Sequence, residues 1–106
     1  MNKYVAVHTH KKTAQQTWEV LQASGPDLAL AMEQGKTLAR CLTTWNPLPY
    51  GRSDMAFCLW EADKPEDVIT TLGPMNEYIT TDLLRVDEIA WSDLAKAAKE
   101  KAKAPA

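Results

Sequence analysis

Ser53–Leu72, SDMAFCLWEADKPEDVITTL, holds a strand and a helix in immediate succession and decides the fold. Met55 to Trp60 is a short, continuous apolar run, the pattern of a buried strand. Glu61 and Ala62 end it. Asp63-Lys64-Pro65-Glu66 then opens a helix. Asp63 is the expected cap, Pro65 fits the first turn, where its missing N–H costs nothing, and Glu66 can bond back to the cap. Val68, Ile69 and Leu72 give that helix one apolar side, and Gly73-Pro74 stops it.

Toward the N-terminus, Tyr4 to His10 (YVAVHTH) reads as a first strand, with Val5 and Val7 on one face and Tyr4, Ala6, His8 and His10 on the other. Thr13 and Gln16 match a capping box, and Ala14, Trp18 and Leu21 follow at helical spacing. Ser24-Gly25-Pro26 is expected to interrupt this helix, which resumes over Asp27 to Gln34 with Leu28, Ala31 and Met32 inward and Gly35 closing it. Leu38 to Trp45 is a second strand. Asn46 to Asp54 (NPLPYGRSD) is dense in turn formers and reads as the long connection of a hairpin. Met75 to Thr81 is unassigned. Leu83 to Ala90 reads as the fourth strand, and Ser92-Asp93 as the cap of a short last helix, Leu94 to about Lys101.

The order β-α-β-β-α-β implies an α+β, ferredoxin-like domain: a four-stranded antiparallel sheet with helices on one face. Right-handed crossovers put strand three between strands one and two, and strand four beside strand one. The 106 residues make one such domain over 1–91, with 92–106 as a C-terminal helical extension whose end frays.

Composition narrows the function classes. The chain is 45% apolar and 25% charged, ordinary for a globular protein. A formal net charge of -2 gives no electrostatic reason for a nucleic-acid or anionic-membrane partner. No apolar run is long enough to span a bilayer. The N-terminal residues MNKYVAVHTHKK lack the apolar core and cleavage site of a signal peptide, so a cytoplasmic protein is expected, with Cys41 and Cys58 as thiols. A domain this small gains from oligomerisation.

The run MAFCLWEADKPEDV, followed by Leu72 and the strand LLRVDEIAW, resembles the dimeric α/β-barrel superfamily, and within it small domains whose third strand ends in Glu-Ala-Asp before the second helix. Small nickel-binding barrels and cofactor-free monooxygenases share that architecture. The resemblance covers most of residues 3 to 91 and implies a homodimer formed through the sheets. It carries no catalytic residues across.

Sheet parity then yields candidate site residues. Val5, Val7, Met55, Phe57, Leu59, Leu84 and Val86 are expected under the helices, with Leu38 and Leu42. Arg40 would share that side unless it snorkels out. The helix-free face would hold His8, His10, Cys41, Thr43, Trp45, Cys58, Trp60, Arg85 and Asp87. Packing two such faces together would enclose a cavity with aromatic walls and a few polar groups, as small-molecule sites have. Arg85 would meet an anionic group, Trp45, Trp60 and Thr43 would contact the ligand, and His8 or His10, oriented by Asp87, would act as base.

The first functional reading is therefore a cofactor-free, small-molecule-binding homodimer, catalytic or not, taking a small anionic or aromatic molecule. The second is a module for a transition metal ion (nickel, copper or zinc). His8 and His10 alternate about 7 Å apart along one face and could share a metal with Cys58, or Asp87, as third ligand. The third is a structural domain whose face serves only to dimerise. Cys58 as a nucleophile is disfavoured, since no helix N-terminus lowers its pKa. The loop holding Asn46 and Tyr50, begun by Trp45, is open to two readings: an aromatic anchor, or a lid over the pocket.

Overall fold

A computed structural model describes residues 1–103. The elements are β1 (Asn2–His10), α1 (Ala14–Glu33), β2 (Arg40–Trp45), a short 3-10 turn (Leu48–Tyr50), β3 (Met55–Ala62), α2 (Pro65–Leu72), a second 3-10 turn (Gly73–Glu77), β4 (Ile79–Val86) and α3 (Trp91–Lys103). This is an α+β chain with an open four-stranded antiparallel sheet, in the order β2-β3-β1-β4, and three helices. The arrangement is consistent with a ferredoxin-like topology. Among the described residues, no helix is long and apolar enough to cross a membrane.

Local chemistry explains the boundaries. Thr13 and Gln16 form the expected capping box: the Gln16 N–H donates to Thr13 Oγ1, and the Thr13 N–H to Gln16 Oε1, each at 3.1 Å. Helix α1 does not break at Ser24-Gly25-Pro26; it runs on through 20 residues with Pro26 inside. Pro26 cannot donate to the Gln22 carbonyl, but both residues are exposed, so water meets that carbonyl. The inward stripe of Ala14, Thr17, Leu21, Leu28 and Met32 stays continuous across the proline and holds the two halves in line.

Helix α2 starts one residue later than the sequence reading has it. Lys64 is the cap, without a side-chain bond, and Asp63 instead offers its carbonyl to Asn2 Nδ2 at 3.2 Å. Strand β4 begins at Ile79, not Leu83. The Asn76 amide donates to the Ile69 and Gly73 carbonyls at 3.0 and 2.9 Å, closing the end of α2 tightly enough for the strand to start at once. The end of the chain expected to fray lies outside the described residues.

The sheet parity is the reverse of the one the alternation implies. Tyr4, Ala6 and His8 of β1 lie opposite Trp60, Cys58 and Ala56 of β3, and this row faces the helices. The core joins Tyr4, Ala6, Cys58, Trp60 and Ala62 to Met32 of α1 and to Val68 and Leu72 of α2. Val5, Val7, Met55, Phe57, Leu59, Leu84 and Val86 are instead on the helix-free face. The cause is volume. Ala6, Ala39 and Ala62 are fully buried and small, so helices approach closely, while the Trp60 indole, 2% exposed, fills the space between them. Arg40 needs no snorkelling, because it sits on the helix-free face 3.5 Å from Glu61.

Strand β2 has a further irregularity. Cys41 pairs with Trp60, but Thr43 pairs with Leu59 and Thr44 with Cys58, so Leu42 is an extra residue in a bulge. Thr44 thus joins the inner row, and Thr43 and Trp45 pass to the outer one. The outward N–H groups of this edge strand and its approach are taken up by helix side chains. Ala39 donates to Thr71 Oγ1 of α2 at 3.2 Å and Cys41 to Met32 Sδ of α1 at 3.2 Å.

Thr71→Val keeps the shape of the side chain but leaves the buried Ala39 N–H without an acceptor. We expect a loss of about 1–3 kcal/mol in urea unfolding, with Thr71→Ser close to the unsubstituted protein. Equal stability of all three proteins would show that this bond holds nothing.

Candidate functional site

A cavity of about 500 Å³ lies between α1 and the inner face of the sheet. Leu21, Gly25, Leu28 and Met32 of α1 form one wall, and His8, Cys58, Trp60 and Ile79 of the sheet form the other. Gly25 falls on the inward stripe of the helix between Leu21 and Leu28. An added Cβ there would stand 3.3 Å from Leu21 Cδ1, so a larger residue must displace the Leu21 side chain or take up space that Gly25 leaves open. The volume is within the range of small-molecule sites, about 300–1,000 Å³. Glu33, exposed, stands at its border, and Arg40 borders it too, though its guanidinium turns to Glu61 on the other face of the sheet.

His8 is 3% exposed, and its Nδ1 lies 3.0 Å from Thr81 Oγ1 on β4. Burial pushes its pKa below the usual imidazole value. The Thr80 backbone opposes that shift, and the nearby His10 adds to it. Thr81 Oγ1 can donate to Nδ1 or accept from it, and the buried Nε2 has no hydrogen-bond partner. Trp60 Nε1 is also buried without a hydrogen-bond partner. Buried unpaired polar atoms are rare in folded proteins and mark places where something else is bound or tolerated at a cost.

His10 also lines the cavity, with Nδ1 3.2 Å from Thr17 Oγ1. The Thr17 hydroxyl donates to the Thr13 carbonyl at 3.2 Å, so it accepts from His10, which must carry a proton on Nδ1. Behind them lie the two thiols. Thr44 Oγ1 is 3.2 Å from Cys58 Sγ and 3.6 Å from Cys41 Sγ.

His8, His10, Cys58 and Trp60 therefore meet at one cavity, with Thr43 at its edge beside the bulge, but the cavity is on the helix side of the sheet. The histidines do share a face, and that face is turned toward α1. Arg85 and Asp87 do not join them. With β4 starting at Ile79, the antiparallel register sets His8 opposite Thr81 and Arg85 opposite Tyr4, and Asp87 is past the strand end. Arg85 donates to Asn2 Oδ1 at 2.9 Å at the far edge of the sheet. Trp45 is half exposed on the outer face, opposite Phe57. No residue of the Asn46–Asp54 loop lines the cavity.

Among the described residues there is no group of three or more His, Cys, Asp or Glu side chains able to hold a metal ion, so His8, His10 and Cys58 do not form the expected ligand set. The sequence reading missed Thr17, Leu28 and Met32 as cavity wall. The signal was Gly25, a glycine on the apolar stripe of a helix, where a packed core would hold a side chain. Scans against protein-family models, curated proteins and solved structures found no match to this chain.

The lowered His8 pKa has a stability consequence of definite sign. Above about 6.5 both the folded and the unfolded imidazole are neutral, and the group adds no pH dependence. As pH falls below that value, the unfolded chain takes up a proton that the buried ring refuses, so stability is lost down to the folded pKa. Urea midpoints at pH 7.5 and 5 should therefore differ more in the unsubstituted protein than in His8→Gln. An identical pH response would show that His8 titrates normally.

Proposed function

We propose that this chain is a small-molecule-binding domain whose ligand occupies the cavity between α1 and the sheet. The observation that carries the reading is an apolar chamber of about 500 Å³ with His8, whose buried Nε2 is unpaired, among its lining residues. Such a chamber suits a flat, largely apolar body, an aromatic ring system above all, bearing one polar group for the His8 imidazole. The anionic group expected from Arg85 loses its support, because that guanidinium is bonded to Asn2 and does not line the cavity. A neutral His8 can accept a hydrogen bond or, from an acidic ligand, a proton. Cofactor-free proton transfer is thus the catalytic extension of the same reading.

The test uses 2-naphthol and naphthalene, titrated into the protein and followed by calorimetry. We expect 2-naphthol to bind, Gly25→Leu to abolish binding by filling the chamber, and His8→Leu to weaken 2-naphthol about two- to tenfold while leaving naphthalene unchanged. Binding of both compounds that is indifferent to Gly25→Leu would reject the chamber as the site.

The domain also works, on our reading, as a homodimer of the dimeric α/β-barrel type. The helix-free face supports this: half-buried Val5, Val7 and Phe57 and 55%-exposed Leu84 form an apolar field beside the buried Leu59, and among the described residues no helix packs over it. A sheet left in water on one face normally alternates apolar and polar residues, and this one does not. Lys3–Glu88 and Arg40–Glu61 pairs flank the field at 2.8 and 3.5 Å, so each copy offers both signs to a two-fold partner. Sedimentation equilibrium should give a dimer for the unsubstituted protein and a folded monomer for Phe57→Arg. A monomeric unsubstituted protein at high concentration would remove the assembly.

A further inference from the structure

The ligand reading above uses neither sulfur of the chain's two cysteines, yet the fold brings them together. Cys41 lies on β2 opposite Trp60, and Cys58 lies on β3 opposite Thr44. The bulge at Leu42 lies between Cys41 and Thr44 and turns both into the inner row, where a regular ladder would have sent Thr44 outward. A single hydroxyl, Thr44 Oγ1, reaches both sulfurs, at 3.6 and 3.2 Å, and so holds the two thiols side by side. Cys41 is half-buried, Cys58 is 6% exposed, and both line the cavity, which gives a small reagent its route.

We propose that Cys41 and Cys58 form a reversible oxidation site for a hydroperoxide that enters the cavity, with Cys41 as the attacking sulfur and Cys58 as the resolving one. The local chemistry assigns the roles. The adjacent Cys58 thiol lowers the Cys41 pKa to about 7, against the opposing effect of burial and with help from the Thr44 hydroxyl and the Thr43 backbone. The neighbouring Cys41 sulfur and burial push Cys58 up, so the shared proton stays on Cys58. A low-pKa, accessible thiol beside a second thiol is the usual arrangement of a redox-responsive pair.

In the first step the Cys41 thiolate attacks the outer oxygen of the hydroperoxide. An S–O bond forms, the O–O bond breaks, and the departing alkoxide takes the Cys58 proton and leaves as an alcohol. In the second step the Cys58 thiolate attacks the Cys41 sulfur. The S–S bond forms, the S–O bond breaks, and hydroxide leaves, to be protonated by solvent as water. The two sulfurs together lose two electrons and the peroxide gains them. A thiol reductant reverses the cycle. The product staples edge strand β2 to β3.

The experiment treats the reduced, folded protein with hydrogen peroxide and with the apolar cumene hydroperoxide, followed by intact mass, peptide mapping and dimedone trapping. The unsubstituted chain should lose two hydrogens within one chain, linking the Cys41 and Cys58 peptides, and recover them in dithiothreitol. Cys58→Ser should accumulate a dimedone adduct on Cys41, and Cys41→Ser should lose its remaining thiol at least about tenfold more slowly than the unsubstituted chain. Circular dichroism checks that both variants fold; should one fail, the peptide map of the unsubstituted chain still decides. A linkage between two chains, a sulfenic acid that never proceeds to a disulfide, or a Cys41→Ser variant that reacts as fast as the unsubstituted protein would each overturn the proposal.

Discussion

Burial of the Trp60 indole sets the side of the sheet on which everything else must stand. Trp60 is the largest fully buried side chain, and it can be accommodated only where its cross-strand neighbours are compatible. Tyr4 and Cys41 flank it, and the fully buried Ala6 and Ala62 leave room around it. Once that indole faces the helices, the period of two commits Cys58, Ala6 and His8 to the same side. The cavity, the buried imidazole and the sulfur pair all follow from one packing choice. So does the placement of Val5, Val7 and Phe57, each half-buried, on the opposite face.

The cavity owes its existence to a helix that is held at its ends and spared in its middle. At the start, Thr13 and Gln16 cap α1, and Thr17 ties it to His10 of β1. At the end, Met32 packs into the core and accepts the Cys41 N–H. Between these anchors, Gly25 presents no side chain to the sheet. A helix with Leu or Met at that position would gain burial and lose the chamber. Stability and an open interior therefore compete at a single residue.

Much of the fold was legible because it is written locally. The strand-then-helix succession in residues 53–72, the Thr13–Gln16 box and the shared face of His8 and His10 each depend on neighbours a few residues apart. The parity was not legible. Both alternate sets in β1 and β3 are apolar, and hydrophobicity alone favours Val5, Val7, Phe57 and Leu59 as core over Ala6 and Cys58. Only the volume of two facing helices breaks that tie. The place of Arg85 was hidden for a different reason. It depends on where β4 begins, and that is set by the Asn76 amide closing the end of α2, a contact between residues seven apart that no periodicity reports. Helix α1 runs through Gly25-Pro26 because its inward stripe outweighs a local breaker signal, which is tertiary packing overriding propensity.

Helix α3 buries none of its residues, and Trp91 in it is 81% exposed. The chain measures 60 × 34 × 22 Å, with a radius of gyration of 17.2 Å, where a compact domain of about this length would have about 13 Å. The consequence is hydrodynamic. A single copy drags like a heavier globular particle, so its elution from a sizing column overstates its mass and imitates a pair. Friction and mass have to be measured separately before any statement about association is drawn from this molecule.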